Sequence, residues 1–320
     1  MRNRLVLVHA LSPLHAGTGQ AVGVIDLPIA RERPTGIPIV PGSSIKGALR
    51  AREEDPTWRT VIYGPETNAA SDHSGAVQFS DVHTVLLPVR SLAGTFAWVT
   101  SPYLLSRFAR DARDAGFELP AAPSVAKIEE CLLLERDLVA AVADGDRVVL
   151  EDLDFAPKVE DPPGPLSVYA GLLGKILFPK ADPADTEAWR DLSRRLCVVH
   201  DDAMSHLLES ATEVSARIRL DETKKTVAQG ALWYEEALPT ETVLAGLAVA
   251  SEVEREIEKK GERPGAEPGN EKKTEKEKKR FGVPALFEQV RKNAEAGLVQ
   301  LGGKATVGRG SCRVLFGGAA

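Results

Sequence analysis

Cysteine is scarce in this 320-residue chain: Cys131, Cys197 and Cys312 lie far apart, and no C-x-x-C pair occurs. That excludes a disulfide framework and a cysteine-rich zinc site. The apolar contexts RLCVVH and GSCRVLF predict buried thiols. Long hydrophobic runs are missing too. VLAGLAVA at 243–250 falls far short of the ~20 residues a membrane helix needs. The N-terminal MRNRLVLVHALSPLHAG lacks a small-residue cleavage site, and its alternation reads as a first β-strand. The expectation is a cytoplasmic protein with no membrane partner. Nor is there an excess of positive charge: 40 basic against 46 acidic residues leave a net −6. A free-standing, sequence-independent nucleic-acid binder is usually basic, so any nucleic-acid contact must rest on local patches. Residues 1–50 form one such patch, with six basic residues against two acidic ones.

Charge is scarcest of all near the start. Asp26 is the only formal charge between Leu5 and Ala30, set in the apolar run AVGVIDLPIA. A buried, unpaired carboxylate costs several kcal/mol. Asp26 must therefore cap a loop, be paired, or stand exposed in a site that uses it.

What is present reads as mixed α and β. RLVLVHAL is a strand, followed by the Gly- and Ser/Thr-rich loop SPLHAGTGQAVG. IPIVPGSSIKGALRAREED predicts a short strand and a helix from about Ile45, with Ser43 or Ser44 as N-cap. Residues 95–145 read as a mainly helical insertion, broken between Gly116 and Pro123. WRDLSRRLCVVHDDAMSHLLESATEV gives helix, strand, helix, and 212–237 a β-hairpin turning at DETKK. Residues 255–280 hold 10 basic and 7 acidic residues with almost nothing apolar, a composition that cannot offset its ordering entropy. They read as a charged flexible insertion whose flanks, VASEVEREIE and PALFEQVRKNAEAG, are helical. GLVQLGGKATVGRGSCRVLF reads as strand, glycine-rich loop, strand.

Four stretches carry candidate chemistry, each with a plainer alternative. In PGSSIKGALR, a helix N-terminus plus Lys46 suits an anion, although an ordinary capped helix with a solvent-facing lysine is favoured on spacing alone. GGKATVGRG lets backbone approach a ligand closely, yet also fits a simple turn, and it lacks the G-K-[ST] ending of a P-loop. His200, Asp201, Asp202 and His206 lack the further ligands of a metal phosphohydrolase and read as an acid-capped helix start. Arg217 and Arg219 share one strand face, either solvated or reaching a polyanion.

Taken in chain order, SPLHAGTGQAVGVIDLPIARERPTGIPIVPGSSIKGALR, then GALWYEE, then LGGKATVGRG resemble the RAMP superfamily, and within it the repeated backbone subunit of the type III-B CRISPR Cmr effector complex. The likeness spans nearly the whole chain, with 255–280 the least matched. It implies an α+β fold over 1–320: a ferredoxin-like (RRM-like) palm with helical insertions and a β-hairpin thumb. It implies polymerisation along a CRISPR guide RNA, contact with other Cmr subunits, and endonucleolytic cleavage of bound single-stranded target RNA with a divalent metal, Mg or Mn. By the same likeness Asp26 and Glu235 are the catalytic acids, with Asp26 the metal ligand. The RNA-binding set is His15, Arg31, Ser43, Ser44, Lys46, Arg50, Arg217, Gly303, Lys304, Gly308 and Arg309. RNA carries its own nucleophile, the 2′-hydroxyl, so the protein need only force in-line geometry and help with proton or charge. An exposed Asp of pKa ~4 is a poor base at neutral pH but a good Mg²⁺ ligand; both roles stay open. The alternatives are a non-catalytic RAMP scaffold that only holds guide RNA, which has no need of Asp26, and a stand-alone RAMP endoribonuclease, which would want a histidine near the glycine-rich loop.

Overall fold

A computed structural model of the chain describes residues 2–19, 25–66, 72–142, 145–161, 164–179, 183–220, 227–260 and 274–318. Its centre is the strand Arg2–Ala10, which pairs antiparallel with Val243–Ala250 on one side and Ser311–Gly317 on the other. Alternation along this strand is buried on both faces. Val6 and Val8 enter one core with Ile45, Leu49, Phe287 and Val290. Leu5 and Leu7 enter the other with Leu105, Phe108, Tyr169 and Leu173. A strand covered on both sides reads as a continuous apolar run, and LVLVHA is one.

Beyond Val243–Ala250 the sheet continues through Val82–Arg90 and Phe96–Thr100, then Leu196–Val199, Glu130–Leu133, Leu153–Val159, Gly145–Leu150 and Ala140–Val142. With three two- or three-residue strands it has thirteen strands among the described residues. Within it, one set follows a simple rule. Strand Arg2–Ala10, helix Gly42–Arg52, strands Val82–Arg90 and Val243–Ala250, helix Val283–Glu295 and strand Ser311–Gly317 occur in that chain order. In space the four strands run last, first, third, second, with every neighbour antiparallel.

Two further antiparallel pairs lie outside the sheet. Glu213–Leu220 pairs with Val227–Ala237, and Val253–Lys260 with Thr274–Phe281. The DETKK turn, at 221–225, lies outside the described residues, as does most of the middle of 255–280.

Several expectations are corrected. Among the described residues of 95–145 the one α-helix is Pro102–Asp114; Phe96–Thr100, Glu130–Leu133 and Ala140–Val142 are strands. In ECLL the period is two, Cys131 and Leu133 being buried and their neighbours half-buried, and pairing with Leu196–Val199 fixes it as a strand. VASEVEREIE is not helical either. Its Glu-rich run has good helix propensity, but register sets Glu254 opposite Arg280 and Glu256 opposite Lys278, favourable cross-strand pairs. Val253 and Phe281 anchor the base of this ribbon in the core. The three cysteines are buried and free. No described helix is long and apolar enough to cross a membrane.

Candidate RNA-cleavage site

Three chain-distant segments meet at the base of the Glu213–Leu220/Val227–Ala237 hairpin. The first is the Asp26 loop. Leu27 forms a parallel bridge with Glu235, its N–H donating to Tyr234 O at 3.0 Å and its carbonyl accepting from Glu236 N at 3.0 Å. Beneath, Arg31 donates to Glu236 Oε1 at 2.5 Å, and to the carbonyls of Gly36 and Leu208 at 2.9 and 3.0 Å. Glu236 Oε2 in turn accepts from Ile29 N at 3.1 Å. The loop is thus nailed from below, and Asp26 stands exposed on top of it. Its Oδ2 accepts a 2.8 Å hydrogen bond from Tyr234 N, and no ion pair engages it among the described residues. The lone carboxylate is both exposed and held.

The second segment is the hairpin itself, and Glu235 is its pivot. Glu235 is 2% exposed. Its Oε1 accepts from Trp233 Nε1 at 2.8 Å and lies 2.9 Å from Lys304 Nζ; its Oε2 lies 3.4 Å from Arg217 Nε. Burial alone would raise its pKa. The Lys304 and Trp233 hydrogen bonds, with the charges of Lys304 and Arg217, outweigh that and hold it at about 2.

The third segment is the glycine-rich loop after Val299–Gln300. Gly303 N donates to His15 O, and Gly310 N to Pro13 O, both at 2.9 Å. Gly302 has φ +70°, and a Cβ there would stand 2.2 Å from His15 O, so only glycine permits this approach. Arg309 comes from this loop into the hairpin base. It is 5% exposed, Nη2 donates to Ser215 Oγ at 3.3 Å, and buried Nη1 has no partner. A buried guanidinium is costly unless it is compensated, and the charge of Arg309 is met by the Glu213 carboxylate, whose burial-raised pKa it lowers.

The structure places the expected residues unevenly. Asp26, Glu235, Arg217, Gly303, Lys304, Gly308 and Arg309 belong to these converging segments. His15 is 7% exposed and its Nδ1 lies 2.6 Å from Glu236 O, so it ties the loop to the hairpin. Arg31 is likewise consumed internally, as Glu236's partner. Arg50 donates to the carbonyl of Gly64. Neither Ser43 nor Ser44 caps its helix: the helix begins at Gly42 with Pro41 as N-cap, and Asp81 Oδ1 takes the Gly42 N–H at 2.8 Å. A carboxylate already occupies part of that supposed anion site. Lys46 is half-buried and falls just past the first turn. Of the histidine–aspartate group, His200 caps Asp201–Ser210 and Asp201 accepts from Tyr103 N at 2.9 Å.

Sequence reasoning missed Glu236, Trp233 and Ser215, which organise the site. The apolar–acidic run LWYEEAL held the only signal for the first two, and nothing marked Ser215. No group of three His, Cys, Asp or Glu side chains that could hold a metal exists among the described residues.

The RAMP superfamily sequence pattern matches residues 7–313. The chain is 30% identical over 324 residues to the CRISPR system Cmr endoribonuclease Cmr4 of Pyrococcus furiosus, covering 98% of this chain and 95% of that protein. It is 23% identical over 252 residues to the CRISPR system CMR subunit Cmr4 of Saccharolobus solfataricus, covering 74% and 80%. Among solved structures, oligomeric Cmr4 from P. furiosus is similar over 100% of this chain and 99% of its own, with TM-score 0.68 and 25% identity. A chain of the type III-B Cmr-beta complex bound to cognate target RNA shares the fold, with TM-score 0.66 at 20% identity, covering 99% and 97%.

Proposed function

The chain belongs to the RAMP superfamily, and from that premise we propose that it is the backbone subunit of a type III-B CRISPR Cmr effector complex. Copies of it stack along guide RNA beside other Cmr subunits, and each copy cuts complementary target RNA. The order of its four core strands, last-first-third-second with a helix in each crossover, supports a ferredoxin-like palm. The Glu213–Ala237 hairpin is the thumb. In an open RRM the sheet face stacks bases. Here both faces of the central strand are buried, so RNA contact falls to the loops and the hairpin.

The observation that carries the cleavage reading is the exposed Asp26 carboxylate held by Tyr234 N–H, one residue along the strand from Glu235, whose carboxylate gathers Lys304 and Arg217. Those two cations supply positive charge for phosphates. The 2′-hydroxyl of the target supplies the nucleophile, and Asp26 orients it or accepts its proton in the transition state. Glu235, buried and ion-paired on both sides, organises the cluster and leaves the reaction to Asp26.

The donor set does not make a protein cage for a cation, since Glu235 is already engaged. It fits a divalent ion held by Asp26, with substrate phosphate and water completing the shell, the usual manner for Mg²⁺. Such an ion would supply charge stabilisation at the phosphate.

Asp26→Asn tests the proposal. In a reconstituted complex it keeps assembly and target binding and lowers cleavage by orders of magnitude. Cleavage at the wild-type rate would return the chain to a scaffold that only holds guide RNA.

A further inference from the structure

The first fifty residues hold only two acids, Asp26 and Glu32, and the fold treats them oppositely. Asp26 is left exposed, while Glu32 is fully engaged. Its Oε2 accepts from Arg107 Nη1 at 2.6 Å and from Thr35 Oγ1 at 2.5 Å. Its Oε1 accepts from Arg107 Nη2 at 3.1 Å, with His83 Nε2 3.5 Å away. The Arg107 hydrogen bonds, joined by the Thr35 hydroxyl, outweigh partial burial and hold the Glu32 pKa at about 2. A bidentate guanidinium fixes orientation as well as distance. Arg107 itself stands on a rigid base. Its helix, Pro102–Asp114, is capped by Ser101, and its neighbours Leu105 and Phe108 lie in one core with Leu5 and Leu7. The Tyr103 ring adds a face 5.8 Å from the guanidinium carbon.

Adjacent residues are thus tied to different bodies: Arg31 to Glu236 at the hairpin base, and Glu32 to the helix Pro102–Asp114. Between Asp26 and Glu32 the backbone is held along its length. Ile29 N donates to Glu236 Oε2 at 3.1 Å, Ala30 N to Ala16 O at 2.7 Å, and Ile39 N to Ala30 O at 2.9 Å. We infer that Arg107 is a positioning residue for target cleavage, acting through Glu32 to hold segment 26–32 where the Asp26 carboxylate meets the scissile linkage. The inference rests on the reading of Asp26 as the cleaving group. An exposed carboxylate on a loop accelerates a reaction only while the loop is fixed, and a displacement of about 1 Å can cost roughly 100-fold in rate. Arg107 needs no contact with RNA to act in this way. Breaking an enclosed pair on one side leaves the other charge uncompensated, so Glu32 would move toward water and draw the segment with it.

The test measures cleavage by the reconstituted complex across target concentrations, separating kcat from KM. Arg107→Met, which keeps the apolar stem, should lower kcat roughly 10–100-fold with KM and assembly unchanged. Arg107→Lys should recover part of the rate, because it keeps the charge and gives up the two-pronged fork. In an Asp26→Asn background, Arg107→Met should slow the residual cleavage no further. Arg195→Met controls for lost stability alone. It removes an ion pair with Asp191 at 2.7 Å on another helix, and kcat should stay unchanged. A wild-type kcat in Arg107→Met would overturn the proposal, as would an equal loss in Arg195→Met. So would a further, multiplicative loss when Arg107→Met is added to Asp26→Asn. Failure of the Asp26 reading is separately visible, as undiminished cleavage by Asp26→Asn alone.

Discussion

The Lys304 ammonium sits 2.9 Å from the Glu235 carboxylate, tying a loop near the end of the chain to the base of the hairpin that also holds Asp26. Because Trp233 and Arg217 address the same carboxylate, one buried charge sets the mutual position of the two segments.

This arrangement predicts a definite pH dependence. Glu235 titrates at about 2 in the folded chain, below the ~4.3 of an unfolded glutamate. Its contribution to stability is present in full above the unfolded value and is lost as pH falls toward the folded one. Glu235→Gln should cost about 1–3 kcal/mol at pH 7. The gap from wild type should narrow steadily between pH 5 and pH 3. Urea unfolding of both proteins at pH 7, 5 and 3 measures it. A gap constant with pH would refute the ion-pair account.

Arg309 should behave differently. Its buried Nη1 has no hydrogen-bond partner among the described residues, while the Glu213 carboxylate compensates part of its charge. Arg309→Met removes an unsatisfied donor together with that charge pair and should change stability by no more than about 1 kcal/mol. RNA binding should weaken across all sequences, with the salt slope reduced by about one. Thermal melting and titrations at several salt concentrations check both halves. A destabilised variant with normal affinity would make Arg309 purely structural.

Lys46 is the remaining cation proposed to meet guide RNA. Asp81 already takes the first helical N–H, so the contact rests on the ammonium as a point charge rather than on the helix end. Lys46→Glu should weaken guide binding and lower the salt slope by about one, while Ser43→Ala and Ser44→Ala leave both alone. An effect of the serines equal to that of Lys46 would restore the helix N-terminus as the anion site.

The parts of the site legible in the sequence are those where one residue departs from its surroundings. Asp26 stood out as a lone charge in an apolar run, and the glycines of GGKATVGRG as backbone bent for close approach. The strong 3.6-residue pattern of PALFEQVRKNAE gave its helix, Val283–Glu295. What stayed hidden depends on partners far along the chain. Nothing local to Arg31 says that Glu236 will consume it, and nothing in PGSS announces that Asp81 will cap the helix. VEREIE failed for the same reason: its charges satisfy a helix locally, and only the KEKKRF strand opposite makes them a ribbon.

That ribbon supports the last prediction. Its hold on the body is at the base, where Val253 pairs with Phe281. Phe281 is 2% exposed and meets Trp58 edge-to-face, with ring centroids 5.2 Å apart. Arg255 adds a 3.1 Å hydrogen bond to Ser74 O. Farther out, acid faces base across the strands in water, where such pairs contribute ~0–1 kcal/mol each. Replacing residues 258–276 with an Asn-Gly turn, which suits a two-residue hairpin connection, should therefore change stability by less than ~1 kcal/mol. Target cleavage should stay at the wild-type rate, since Asp26 and its supports lie on other elements. Phe281→Ala removes the anchor itself and should cost about 3–5 kcal/mol. Thermal melts of the two variants beside the wild type decide the matter. If the excision melts as low as Phe281→Ala, the outer ribbon is packed against the body, and its charges are working as contacts rather than as a solvated face.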